Sequence, residues 1–176
     1  MEPFIFIIIG AVLFVHGWNL IRIVDLRTVG FLAAAASIGL TALVLLQKTV
    51  TVTDASNEVI TALAVLLALY AAVLAAVGLW DFDVRTLGLY AIFLAAAMVG
   101  YAVFFFGIVG DLSPTSTLSG IVALVAAILF GLLFIAYVPP LRRTYQTVVG
   151  YFFLIGAAVV AIIGVGALLD IVTLND

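Results

Sequence analysis

The placement of the charged side chains limits the fold of this chain more than any motif does. Its 176 residues hold only nine Asp and Glu and six Lys and Arg. These fall in clusters, and residues 3–21, 28–47, 59–80, 86–110, 112–141 and 144–169 carry no charge. Each run reaches the roughly 20 residues that an α-helix needs to cross about 30 Å of hydrocarbon. Inside lipid the backbone must satisfy its own hydrogen bonds, so such runs fold as helices or as strands of a closed barrel. Barrel strands alternate polar and apolar side chains, and a stretch such as LAVLLALYAAVLAAVGLW does not. The expectation is an all-α integral membrane protein with six transmembrane helices, a single six-helix domain over residues 1–176 and a multi-pass location in the cell membrane.

Composition agrees and removes other classes. A soluble domain carries about 25% charged residues, whereas this chain has 9%, with 68% hydrophobic. A net charge of −3 speaks against nucleic acid as a partner. The lack of Cys excludes disulfides, thiolate metal sites and cysteine nucleophiles, and no cofactor is expected.

Arg22, Arg27, Arg85, Arg142 and Arg143 follow helices one, three and five, against Lys48 alone in the turns after two and four. Cytoplasmic loops attract Lys and Arg, so both termini are expected outside. The first helix lacks a basic leader (Met1, Glu2, Pro3) and is expected to remain a span. The longest loop, about residues 48–58, is a polar tether, which leaves function to the bundle or its partners.

Two turns share a pattern. Asp25-Leu26-Arg27-Thr28-Val29-Gly30 recurs 58 residues later as Asp83-Val84-Arg85-Thr86-Leu87-Gly88, and Arg142-Arg143-Thr144 with Gly150 is a looser echo. Generic turn chemistry would account for the Arg; the ordered Asp-x-Arg-Thr-x-Gly match favours a true repeat. Asp or Thr would cap helices two and four, and the Gly would let helices approach closely. The chain then reads as three tandem helical hairpins, about 3–47, 58–110 and 117–171, whose pseudo-threefold axis is a natural pore.

Several residues resemble a known family. Gly10-Ala11-Val12-Leu13, Gly17 and Val24-Asp25 are similar to the start of the urea channel and amide transporter family, UreI/AmiS. Leu69-Tyr70-Ala71-Ala72, Asp83-x-Arg85 with Tyr90 and Phe93, and Phe130-Gly131-x-Leu133-Phe134 continue the likeness over most of the chain. The resemblance implies six helices in three hairpins, passive conduction of urea or short-chain amides through a pore in each protomer, and a homo-oligomer, typically a hexamer. It also implies pore positions at Ala64, Ala68, Phe130, Phe134 and Gly156, where the family carries aromatics in helices three and five and a glutamate in helix six. Loop histidines of acid-gated members have no counterpart here.

A pore for small neutral solutes excludes ions through narrow apolar constrictions. Glu2, Phe6, Ile9, Leu13, His16 and Leu20 form one stripe of the first helix, read either as lining or as ordinary packing; with the resemblance, lining is preferred. Glu2 fits a pore mouth or a solvated terminus. His16, the only His, marks a functional candidate because ionisable groups are costly in the membrane. It reads either as a neutral pore-facing ring or as a ring bonded to a carbonyl. Trp18 and Asn19 suit an interfacial anchor and a helix-end cap. Tyrosines more often pack with the hydroxyl on a backbone carbonyl; among them Tyr70 is the best candidate for touching solute. Faces bearing Gly30, Gly156, Gly164 and Gly166 suit helix contacts, and Pro139-Pro140 should end helix five.

An enzyme lacks its parts: no HExxH, no Cys and one His. A retinal photoreceptor needs a Lys within a helix, and an ion-coupled carrier a mid-membrane carboxylate; the sequence offers neither. The remaining alternative to a channel is a structural or assembly subunit of a membrane complex, surrounded by lipid and lacking a pore.

Overall fold

The computed structural model describes residues 2–50, 55–106, 117–138 and 143–169. Six α-helices account for nearly all of them: α1 Glu2–Leu20, α2 Leu26–Val50, α3 Ala55–Trp80, α4 Val84–Phe105, α5 Thr117–Tyr137 and α6 Arg143–Leu168. All six are long and apolar enough to cross a membrane. The polar tether expected at 48–58 is shorter than its composition suggested, since α2 runs through Val50 and α3 begins at Ala55. Helical winding continues past the apolar stretch because polar residues are tolerated in a helix once it leaves the hydrocarbon. Helix α5 ends at Tyr137, and Pro139-Pro140 lie outside the described residues.

Local chemistry explains the helix ends. Asp83 caps α4, its side chain accepting from the Arg85 amide at 3.0 Å. Asp25 does the same for α2, accepting from the Thr28 amide at 3.3 Å. Asp, rather than Thr, is therefore the cap in both turns. At the end of α1, Arg22 adopts a left-handed φ of 67°, and the Ile23 amide reaches back to the Trp18 carbonyl at 2.9 Å, closing the helix by a six-to-one bond. Asn19 locks this turn by donating from Nδ2 to the Val24 carbonyl. Asp81, just after α3, also has a left-handed φ, of 54°.

The most extensive packing does not join the two arms of each hairpin. It pairs α2 with α3, α4 with α5, and α6 with α1; lighter contacts of α1 with α2, α3 with α4 and α5 with α6 close a ring. The repeat glycines sit at these tight pairs. A Cβ on Gly30 would lie 3.0 Å from Gly78 Cα in α3, and one on Gly88 3.0 Å from Tyr137 Cβ in α5. One on Gly150 would lie 3.0 Å from Leu20 Cβ and 3.1 Å from the Gly17 carbonyl oxygen in α1. Each repeat glycine thus seats an even helix on the odd helix that is not its hairpin partner, through the small-residue contact favoured between membrane helices.

Interior and exterior are both apolar. Ile38 and Ile162 are about 70% exposed (71% and 70%), and bulky apolar side chains cover the outer faces of all six helices. Such a surface requires lipid or another protein.

Candidate functional site

The last turns of α1, α3 and α5 meet the first turns of α6, α2 and α4 at one end of the bundle, through the Leu20–Gly150, Gly78–Gly30 and Tyr137–Gly88 contacts, and the first turns of α1, α3 and α5 point to the other. Between these ends the odd helices line a small, partly open cavity with a volume of about 20 Å³. Phe6, Ile9 and Leu13 of α1, Leu63 and Leu67 of α3, and Ser119, Val122, Ala123, Ala126 and Phe130 of α5 form most of its wall. Met98 and Phe105 of α4 and Val160 of α6 complete it. Each odd helix contributes side chains three or four positions apart, which share one face. From Phe6 to Leu13 the wall extends about 10 Å along α1 at 1.5 Å per residue. No wall residue is charged.

One turn beyond Leu13 toward the turn end, the same face of α1 presents His16. It is fully buried, and both ring nitrogens have partners. Nδ1 lies 2.8 Å from the Tyr70 hydroxyl of α3. Nε2 lies 2.9 Å from the Tyr137 hydroxyl of α5. A neutral imidazole has one donor and one acceptor, while each phenol offers both, so this trio satisfies itself in either tautomer. Rings hold it in place. Phe130 meets Tyr70 edge-on at 4.9 Å, Phe153 of α6 meets His16 edge-on at 5.5 Å, and the Tyr137 ring stacks on His16 at 6.0 Å.

The residues singled out from the sequence therefore separate. Phe6, Ile9, Leu13 and Phe130 share the cavity wall, and His16 and Tyr70 form the polar cluster below it. His16 bonds to hydroxyls rather than to a carbonyl. The Glu2 side chain lies outside the described residues. Ala64 is fully buried but is not in the wall. Ala68 lines a different, open groove between α2 and α3, with Ser37, Thr41 and Leu69. Phe134 is half-buried and does not line the cavity. Gly156 is a packing position, because a Cβ there would come within 2.7 Å of Leu129 Cδ1. Tyr90 follows the ordinary pattern, donating to the Leu66 carbonyl at 3.1 Å.

Tyr137 is a partner of His16 that the sequence did not single out. It stands seven residues after Phe130, hence two turns along the same face of α5, which was the available signal. The Leu63, Leu67, Tyr70 spacing on α3 offered a similar one. Among the described residues no group of His, Asp and Glu could hold a metal ion.

Six membrane-length helices around an internal cavity define a multi-pass helical membrane protein. Residues 1–170 match the AmiS/UreI family transporter profile. The chain belongs to that family and is a transporter, not an enzyme. Its fold is that of two solved structures. The crystal structure of the urea channel from the human gastric pathogen Helicobacter pylori superposes with a TM-score of 0.77 at 17% identity, over 97% of this chain and 98% of that one. The cryo-EM structure of the Helicobacter pylori urea channel in a closed state gives 0.67 at 18% identity, with the same coverage. Comparison with curated proteins finds no match.

Proposed function

We propose that this chain is a passive channel for urea or short aliphatic amides, with one narrow apolar passage in each protomer. The observation that carries this reading is the cavity itself. Its uncharged, mainly apolar wall runs past Leu13 and Phe130 and leads to a polar cluster of neutral type. An ion cannot shed its hydration shell against such a wall, whereas a flat amide loses little there and regains hydrogen bonds at His16. The family and the names of the similar structures support urea as the solute.

The passage follows the axis between α1, α3 and α5. The repeated seating of Gly30, Gly88 and Gly150 on the next odd helix supports a pseudo-threefold arrangement of the three hairpins. The arginine-bearing turns face the cytoplasm and both termini face outside. The exposed apolar faces serve as contacts to lipid and to further copies in a homo-oligomer.

The test is stopped-flow uptake of urea and acetamide into proteoliposomes, together with electrical recording. Uptake well above lipid controls without ion current is expected. Uptake equal to that of empty liposomes across pH 5–8 overturns the proposal.

A further inference from the structure

The three faces that wall the cavity converge on three polar groups. One turn past Leu13 stands His16, three residues past Leu67 stands Tyr70, and two turns past Phe130 stands Tyr137. The hydrogen-bonded chain Tyr70–His16–Tyr137 therefore spans α3, α1 and α5 directly beneath the cavity. Its two bonds are not equivalent. Tyr70 lies in the middle of α3, is fully buried and is clasped by Phe130. Tyr137 is the last residue of α5 and is only partly buried. The root of its side chain rests on α4 where Gly88 leaves room, since a Cβ on Gly88 would lie 3.0 Å from Tyr137 Cβ. That contact holds the base of the side chain, at the last residue of α5. Helix-end side chains with an exposed edge move at lower cost than central buried ones.

We infer that Tyr137 is a specificity-determining residue: its hydroxyl closes the passage by occupying His16 Nε2, and a solute passes by taking its place there. The inference rests on the channel reading above. The chemistry follows from hydrogen-bond inventory. Displacing Tyr137 leaves one buried ring nitrogen in need of a partner, and an unmet buried polar group is costly. A solute carrying both an N–H donor and a carbonyl acceptor restores that bond in either tautomer of His16. An apolar solute cannot, and pays the loss in full. Tyr70 meanwhile keeps Nδ1 occupied and the ring oriented, so the exchange is confined to one nitrogen.

Because His16 is the only histidine, labelling with ¹⁵N-histidine gives one pair of ring-nitrogen signals from the intact protein. Acetamide added to the wild type in lipid should shift Nε2 and leave Nδ1 nearly unmoved. In Tyr137→Phe, Nε2 should be shifted before any solute is added. It should then respond at roughly 2- to 12-fold lower acetamide, the equilibrium worth of one ordinary hydrogen bond. Uptake at low acetamide should rise by a similar factor. An Nε2 signal indifferent to acetamide, in a wild-type protein that conducts it, overturns the inference while leaving the channel reading intact. Wild-type liposomes that take up neither acetamide nor urea above controls overturn the channel reading, and the inference with it. The wild-type titration needs no variant to fold.

Discussion

Gly30 and Gly78 meet backbone to backbone. A Cβ on Gly78 would lie 2.5 Å from the Leu26 carbonyl oxygen and 2.8 Å from Gly30 Cα, atoms that cannot swing aside as a side-chain tip can. Gly78→Ala should therefore push α2 off α3 and cost about 1–3 kcal/mol, the usual range for overpacking. Gly100 and Gly131 have nothing within 4 Å of an added Cβ. Alanine at either should be neutral or gain up to about 1 kcal/mol in helix propensity. Thermal unfolding in detergent separates the cases, and equal behaviour of Gly78→Ala and Gly100→Ala would reject the contact.

The aspartate caps give a smaller and more local effect. Asp83→Ala removes the acceptor for the Arg85 amide and should destabilise by about 1 kcal/mol, while Asp83→Asn should stay near wild type because Asn caps equally well. Hydrogen exchange at the first turn of α4 is the direct measurement. Faster exchange in Asp83→Ala but not in Asp83→Asn is the expected result.

Wall and non-wall positions should differ in transport. Leu13 borders the cavity and is 1% exposed, so Leu13→Trp places extra volume in the passage. An added barrier of about 1.4 kcal/mol lowers a rate tenfold, and a loss of at least that size in urea and acetamide uptake is expected. Phe134 lies off the wall, and Phe134→Trp should leave uptake nearly unchanged. Matching losses at both positions would mean that the passage runs elsewhere.

Orientation is open to direct chemical labelling, because the chain contains no cysteine of its own. In intact cells a membrane-impermeant maleimide should modify Glu58→Cys, near the start of α3, and spare Ile23→Cys, in the α1–α2 turn where the native side chain is 67% exposed. Permeabilisation should then expose Ile23→Cys. The reverse pattern would invert the topology.

What could be read in advance was what depends on neighbouring residues. The six helices follow from gaps between charges, and a cap by Asp or Thr before helix four from the residues of one turn, with the choice of Asp83 made by the structure. The close helix contacts at Gly30, Gly88 and Gly150 were visible in the repeated turns, but their partners were not. A glycine's spacing says that something comes close without saying which helix it is. Gly156 shows the same limit: a missing side chain looks identical in sequence whether it borders a void or Leu129. The bond from His16 to Tyr137 spans 121 positions, and no periodicity within one helix can point across that distance. Phe134 and Ala68 were assigned by likeness to relatives. A shift of one residue around a helix turns a side chain by about 100°, enough to carry it from the passage to another face.

The seating of α6 on α1, where Gly10 meets Ala161 and Gly164 lies against the Pro3 carbonyl, bears on how the protein is made. During synthesis the glycine-bearing face of the first helix has no partner until the last helix enters the bilayer. Completion of the ring therefore waits for α6, while α2 with α3 and α4 with α5 can pair earlier. The same adjacency brings the start of α1 beside the end of α6, so a short linker joining them, with new ends opened in the α2–α3 connection, should yield a circularly permuted protein with the bundle intact.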